Sequence, residues 1–260
     1  VRKADILEEA QDYFSKTLDQ TGSQVFDYLT NRGYSAEEIY GMELGEYKDR
    51  KALQDHLKQA GYTDQEITAS GLLTHGFGET HTLTLLWKDQ AGRAIGLAGR
   101  AISPEVEPKY KYSAGLQKDK GLVGFSSVRG SPAIIVVEGV LDALLLNFKG
   151  LKAVSLGGLS ISADQLKALE ITGTKELLLA LDMDKPGQQA TENMIRDLKT
   201  SKLRAYVVSL PDGYKDADEL IRALGVEVFK EKLETAERSS SWMAKRIASR
   251  PGRDIATARG

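Results

Sequence analysis

The spacing of apolar positions changes twice along this chain. Up to about residue 70 it is helical, with Leu53, Leu57 and Ala60 one turn apart. Ser35-Ala36-Glu37-Glu38 and Thr63-Asp64-Gln65-Glu66 each place a hydroxyl three residues before a glutamate. That is the capping-box pattern, and it predicts short helices carrying Ile39 and Ile67. Thr80-His81-Thr82-Leu83-Thr84-Leu85-Leu86-Trp87 then alternates and is rich in β-formers, Asp89-Gln90-Ala91-Gly92 is a turn signal, and Ala94 to Gly99 is a second strand. Together they predict a hairpin. From Ile102 to Gly124 there is little periodicity, and an irregular surface segment is expected. From Pro132 short apolar runs alternate with helical stretches. Strands are expected at 133–137, 153–156, 176–181 and 204–210, with helices at 141–148, 162–169 and 188–198 between them. This β-α-β-α-β-α-β order predicts a mainly parallel sheet with helices on both faces. Beyond Pro211 the pattern is helical to the end.

Three acidic clusters close apolar or strand-like runs in this second half: Glu138-Gly139-Val140-Leu141-Asp142, Asp182-Met183-Asp184 and Asp216-Ala217-Asp218. In parallel sheets the ligand site lies beyond the carboxyl ends of the strands. Carboxylates gathered there repel one another unless a cation lies between them, and oxygen donors suit a hard divalent ion such as Mg²⁺. Taken singly, each cluster also fits a helix N-cap or an exposed loop charge.

Composition narrows the classes. The chain has 260 residues, 41% hydrophobic and 28% charged, which suits a soluble globular protein of one or two domains. No apolar run nears the ~20 residues of a membrane helix, and no signal peptide is visible. The chain opens on Val1 rather than Met, so a piece of a longer protein is expected. Cysteine is absent, which removes disulfides, thiolate zinc sites and cysteine nucleophiles and fits a cytoplasmic setting. The net charge of −2 conceals two basic stretches. Lys88 to Lys120 holds seven Lys/Arg against four Asp/Glu, and Lys245, Arg246, Arg250, Arg253 and Arg259 stand against Asp254. Charge runs of this kind are also ordinary solvated faces. A G-x-x-x-x-G-K-[ST] loop is missing, so an ATPase motor is not expected in this chain. Of His56, His75 and His81, the last two flank a predicted loop but make a poor metal set. Tyr110 and Tyr112 are candidates for stacking on bases, while Trp87 reads better as core.

Val136-Val137-Glu138-Gly139-x-x-Asp142 and Leu179-Ala180-Leu181-Asp182-Met183-Asp184, with Ser155-Leu156-Gly157-Gly158 between them, resemble the Toprim domain. Upstream, Phe26-x-Tyr28-Leu29-x-x-Arg32-Gly33-x-Ser35, Met42-x-Leu44-Gly45, Ala69-x-Gly71-Leu72 and Trp87-x-Asp89-x-x-Gly92-Arg93-x-Ile95-Gly96-x-x-Gly99-Arg100 follow in order. Pro108-Lys109-Tyr110, Lys118-Asp119-Lys120-Gly121-Leu122, Leu210-Pro211-Asp212-Gly213 and Asp216-Ala217-Asp218 continue the series. This collinear set resembles the RNA-polymerase core of DnaG-type bacterial and phage primases over about residues 22 to 235.

The resemblance implies an α/β fold with a primase-specific N-terminal α+β subdomain (1–128), a Toprim domain (129–213) and a C-terminal helical subdomain (214–260). It implies synthesis of RNA primers from ribonucleoside triphosphates on single-stranded DNA, with Mg²⁺ or Mn²⁺, in the cytoplasm and away from membranes. A replicative helicase would be met through regions outside this chain. By the same resemblance Glu138, Asp182 and Asp184 are the catalytic and metal-site carboxylates, joined by Asp212, Asp216 and Asp218. Gly139, Asp142 and Gly157 support them, and Arg93, Arg100, Lys109, Tyr110 and Lys120 hold nucleotide or template. Three departures point to a divergent member: Gln189 where an acid is frequent, Tyr112 where asparagine is frequent, and one extra residue, Tyr214-Lys215, before Asp216. A Toprim nuclease would use the same carboxylates, and a non-catalytic Toprim DNA-binding module is the other alternative. A recombination mediator would bring a cysteine zinc finger, and a type IA topoisomerase a far longer chain.

Overall fold

The computed structural model describes residues 2–19 and 21–249; Arg250, Arg253, Asp254 and Arg259 of the basic C-terminal stretch lie outside the described residues. The N-terminal part begins with α1 (Arg2–Leu18), α2 (Gln24–Asn31) and α3 (Ala36–Gly41), then β1 (Gly45–Glu46), α4 (Arg50–Gln59) and α5 (Asp64–Ser70). Both expected capping boxes form: Ser35 with Glu38 opens α3, and Thr63 with Glu66 opens α5. The expected hairpin is β2 (Leu83–Asp89) with β3 (Ala94–Arg100). Asp89 Oδ1 accepts the N–H groups of Ala91 and Arg93 across its turn.

The segment after β3 is more ordered than its sequence suggests. β4 (Tyr110–Tyr112) pairs with β3, and β5 (Gly121–Leu122) pairs with β2, giving with β1 a five-stranded antiparallel sheet. Strands of two or three residues carry no readable alternation, because long-range pairing alone defines them.

The second half follows the expected alternation. It runs β6 (Ala133–Val137), α6 (Val140–Phe148), β7 (Ala153–Ser155), α7 (Ala163–Ile171), β8 (Glu176–Leu179), α8 (Lys185–Asp197) and β9 (Arg204–Val207). Then come α9 (Ala217–Leu224), α10 (Val226–Glu234), β10 (Glu237–Arg238) and α11 (Ser239–Ala248). The sheet order is β10-β9-β8-β6-β7, with β6 to β9 parallel. The chain is therefore not helical throughout after Pro211: β10 returns to cap the sheet edge antiparallel to β9.

Packing explains the unbroken apolar run of β6. Ile134 and Val136 enter a core with Leu177, Leu179 and Met194, while Ile135 and Val137 enter another with Leu141, Leu145 and Phe229. A strand buried on both faces hides its period of two in this way. The second of these cores also contains Leu29, Ile39, Leu85 and Trp87 from the N-terminal half. The two halves thus share one apolar interior, which fixes the antiparallel sheet against the carboxyl ends of the parallel one. A third core lies under the opposite side of the hairpin, where α1 sends in Ile6, Leu7, Ala10 and Phe14. Among the described residues no helix is long and apolar enough to cross a membrane.

Candidate active site

Backbone geometry at three helix starts gathers the carboxylates. Glu138 follows the last residue of β6, and Gly139 is the N-cap of α6. A Cβ at Gly139 would overlap Asp142 Oδ2, so glycine is what lets Asp142 fold back over the turn. Asp184 caps α8 by accepting the Gly187 N–H at 2.9 Å. Asp216 caps α9 by accepting the Glu219 N–H at 2.9 Å. The loops bearing the second and third clusters are joined, because Met183 N–H donates to the Lys215 carbonyl at 2.8 Å. As a result Asp142, Asp182 and Asp216 each present a carboxylate oxygen, all within 4.8 Å of one another.

Asp142, Glu138 and Asp182 are each held above the ordinary carboxylate range. Burial pushes Asp142 up to about 8, aided by the charges of Asp216, Asp218 and Asp182 and opposed by Arg32. Burial, then Asp182 and Asp184, raise the Glu138 carboxyl against the pull of Lys215 and Lys109. Asp182 is raised by burial despite its bond to Lys215. Glu138 Oε2 is buried with no hydrogen-bond partner among the described residues. An orphaned buried carboxylate oxygen beside three converging carboxylates is a donor set that fits a hard divalent cation, which would reverse each of these penalties. Such a site is consistent with divalent metal binding.

Opposite the carboxylates stand fixed cations from the N-terminal half. They share with Glu138, Asp142, Asp182 and Asp216 a cavity of about 260 Å³. Arg100, at the end of β3, is only 7% exposed, and donates to Tyr110 Oη at 2.9 Å and Tyr28 Oη at 3.0 Å. Arg32, just past α2, donates to Asp218 Oδ2 at 3.1 Å. Lys109 makes no ion pair among the described residues. Its pKa is lowered by burial and by Arg100 and Arg32. Lys118 holds the glycine turn by donating to the Gly157 carbonyl at 2.9 Å, with its ammonium over the Tyr112 ring. That turn also braces Glu138: Ser155 Oγ donates to the Glu138 carbonyl at 2.8 Å and accepts the Gly157 N–H at 3.1 Å.

The structure therefore brings together Glu138, Gly139, Asp142, Gly157, Asp182, Asp216, Arg100, Lys109, Tyr110 and Tyr112 around one cavity. Asp184 sits at its edge, reached by Lys215 Nζ at 3.4 Å. Other expected residues lie elsewhere. Arg93 stays in the hairpin turn, paired with Asp89 at 2.8 Å. Lys120 is exposed on the 3₁₀ turn Lys118–Lys120, and Asp212 is exposed in a turn. Asp218 is buried and engaged by Arg32 and by Arg222 at 2.8 Å. Trp87 is fully buried, its Nε1 donating to the Lys118 carbonyl at 3.2 Å. His56, His75 and His81 do not line the cavity; His81 is buried against the Pro108 carbonyl. Arg32 and Lys215 line the cavity but were not expected there. The sequence signal for Arg32 was its place one helical turn after Tyr28, and for Lys215 its place in the extra-residue segment.

Two family models match in tandem: the DNA primase catalytic core N-terminal domain over residues 13–128, and a Toprim-like domain over residues 135–221. The chain belongs to the DnaG-type primase family. The DNA primase of Clostridium acetobutylicum is 30% identical over 241 residues, which cover 88% of this chain and 40% of that protein. That of Deinococcus radiodurans is 29% identical over 228 residues, 82% of this chain and 39% of the relative. The chain thus spans about two fifths of the length of these curated relatives. Among solved structures, the Aquifex aeolicus primase (zinc binding and RNA polymerase domains) superposes with a TM-score of 0.77 at 25% identity, covering 90% of this chain and 61% of that one. The RNA polymerase domain of Mycobacterium tuberculosis primase DnaG reaches 0.84 over 99% and 91% of the two chains; at 20% identity it shows the shared fold. A DnaG primase catalytic domain solved bound to single-stranded DNA reaches 0.76 at 24% identity, over 95% and 82%. The α/β architecture with a Toprim domain is that of DnaG catalytic cores.

Proposed function

We propose that this chain is the catalytic core of a DNA primase, joining ribonucleoside triphosphates into short RNA primers along single-stranded DNA. The observation that carries this reading is the meeting, in one cavity, of Glu138, Asp142, Asp182 and Asp216 from the parallel sheet with Arg32, Arg100 and Lys109 from the N-terminal half. A carboxylate rim alone serves many phosphate chemistries. A facing wall of cations, with Arg100 buried and Arg32 half-buried, adds what a polymerising site needs, a seat for the triphosphate of the incoming nucleotide.

In the reaction the 3′-hydroxyl of the growing strand attacks the α-phosphorus of the incoming nucleotide. The bond to the β-phosphate oxygen breaks, pyrophosphate leaves, and the hydroxyl proton is lost. Asp142, Asp182 and Asp216, with Glu138 on the same cavity and Asp184 at its edge, would hold a divalent ion, Mg²⁺ or Mn²⁺. When bound, that ion supplies charge neutralisation at the phosphates and acidifies the attacking hydroxyl. Arg100, locked by Tyr28 and Tyr110, presents a preset guanidinium, so little side-chain ordering is left to occur on binding. Lys109 offers an ammonium whose charge is already opposed by burial and by neighbouring arginines, and a phosphate relieves both. Tyr112 and Tyr110 line the same wall, where a base can stack. Arg93, Lys120, Asp212 and Asp218 act, if on template or primer, from outside this cavity. The domain limits 1–128, 129–213 and 214–260 follow the same reading, with β10 of the last segment closing the Toprim sheet. The helicase contact belongs to other parts of a longer primase.

The test is incubation with single-stranded DNA, labelled ribonucleotides and Mg²⁺ or Mn²⁺, alongside Glu138→Gln and Asp182→Asn. New oligoribonucleotides, or extension of an annealed RNA primer, are expected for wild type and are lost in both variants. Metal-dependent shortening of labelled DNA without synthesis would instead identify a nuclease, and binding without either a non-catalytic module.

A further inference from the structure

Lys215, in the Tyr214-Lys215 segment that carries the extra residue before the third acidic cluster, stands in the candidate metal site. Lys215 Nζ lies 3.1 Å from Asp182 Oδ2 and 3.4 Å from Asp184 Oδ2, bridging the two acids of the Asp-x-Asp loop. Its backbone is pinned on both sides. The Lys215 carbonyl accepts the Met183 N–H at 2.8 Å, and the Lys215 N–H donates to Glu219 Oε2 at 2.7 Å. The next residue, Asp216, caps α9 and supplies one of the three converging oxygens. The ammonium is therefore delivered from a fixed Cα onto the acids that a second divalent ion would need. It also lines the cavity that holds Arg32, Arg100 and Lys109.

We propose that Lys215 is a built-in cation of this site. It fills the Asp182–Asp184 position in place of a second metal ion, leaving room for one divalent ion among Glu138, Asp142, Asp182 and Asp216. The inference rests on the metal-site reading above. An ammonium is a fixed single charge with three donors and no Lewis acidity, so it offers the triphosphate a hydrogen-bonding partner rather than an activated water. Because it competes for Asp182 and Asp184, its charge also weakens any divalent ion that approaches them.

Mn²⁺ binding to the intact chain, followed by calorimetry and by the electron paramagnetic resonance of the free ion, tests this without reference to activity. Wild type and Lys215→Arg are expected to bind one Mn²⁺. Lys215→Met is expected to bind a second, or to bind the single ion about tenfold more tightly. Equal stoichiometry and affinity in all three proteins, weaker binding by Lys215→Met, or two ions in wild type would each overturn the proposal. Lys215 is about half exposed, and circular dichroism of both variants checks that the fold is kept. If Lys215→Met gains metal while wild type makes no primers, the primase reading fails and this one stands. If wild type makes primers and Lys215→Met binds metal as wild type does, only this one fails.

Discussion

Gly157 and Gly158 are neighbours with opposite expectations under substitution by alanine. Gly157 has a φ of +64°, and a Cβ there would come within 2.9 Å of Trp87 Cζ2 and closer still to Cη2. The left-handed backbone costs alanine about 1–2 kcal/mol. Forcing extra volume against a fully buried indole costs about 1–3 kcal/mol more. Gly157→Ala should therefore lose roughly 2–5 kcal/mol, a fall in melting temperature on the order of 10 °C for a chain of this size. Gly158 has no positive φ, and the nearest atom to its added Cβ is Lys118 Nζ at 3.6 Å, so Gly158→Ala should stay within about 0.5 kcal/mol of wild type. Urea denaturation of the two variants measures the difference. Trp87→Phe removes the outer carbons that Gly157→Ala would strike. The double variant should accordingly recover about 1–3 kcal/mol relative to the sum of the single changes. The site should register the same strain, since Gly157 N–H and the Glu138 carbonyl share Ser155 Oγ, and Mn²⁺ affinity should fall in Gly157→Ala alone. If the two alanine variants match within 0.5 kcal/mol, or if the double variant shows no coupling, the glycine requirement argued here is wrong.

Two further expectations concern pH. Glu38 is held below its ordinary 4.5: burial alone would raise it, but the Lys149 ammonium at 2.7 Å, the Ser35 amide and Arg222 outweigh that. A lowered carboxyl contributes stability that is present above its unfolded value and is lost as pH falls through its folded one. Glu38→Gln should therefore cost about 1.5–3 kcal/mol at pH 7, and the gap to wild type should close on acidification below pH 4.5 when both are unfolded in urea. Asp142 has the opposite sign. Raised from 3.8 to about 8, it favours the metal-free fold fully below pH 3.8, and that contribution is lost as pH rises through 8. Thermal melts in chelator should show wild type losing stability over that window while Asp142→Asn loses less. Mn²⁺ should raise the wild-type melting temperature more at pH 9 than at pH 6; an equal rise at both would contradict the assigned role of Asp142.

The positions of the strand ends could be read from sequence because the physics there is local. An apolar run such as Ile134 to Val137 followed by an acid and a glycine can hardly be anything but a buried strand meeting a loop. The capping boxes at Ser35 and Thr63 were equally local. What escaped reading was set at long range. β4, β5 and β10 exist only through their partners, and two-residue strands such as Glu237–Arg238 carry no pattern of their own. Arg32 reaches the cavity because the turn that ends α2 meets α9 through its bond to Asp218, a contact between residues 186 apart in sequence.

The third acidic cluster shows why motif reading stops short of a site. The motif sets Asp216 and Asp218 side by side as equals, and two acids separated by one residue do share a face on an extended strand. Here they open a helix, with Asp216 at the N-cap and Asp218 in the first turn. Residues two apart on a helix do not face the same way. Asp216 accordingly turns toward Asp142 and Asp182, while Asp218 turns into the interior and meets Arg32 and Arg222. Asp218 thereby does a different job for the same site: it fixes the guanidinium of Arg32, which lines the cavity from the other half of the molecule. Asp182 and Asp184 divide in a similar way, one among the converging oxygens and one capping α8, and Lys215 ties them back together. The Asp182–Asp184 pair thus spends one member on the converging oxygens and one on a helix cap, whereas Asp216 does both and leaves Asp218 to hold Arg32. The secondary structure at each cluster, more than the count of carboxylates, decides how many oxygens are left to meet a cation.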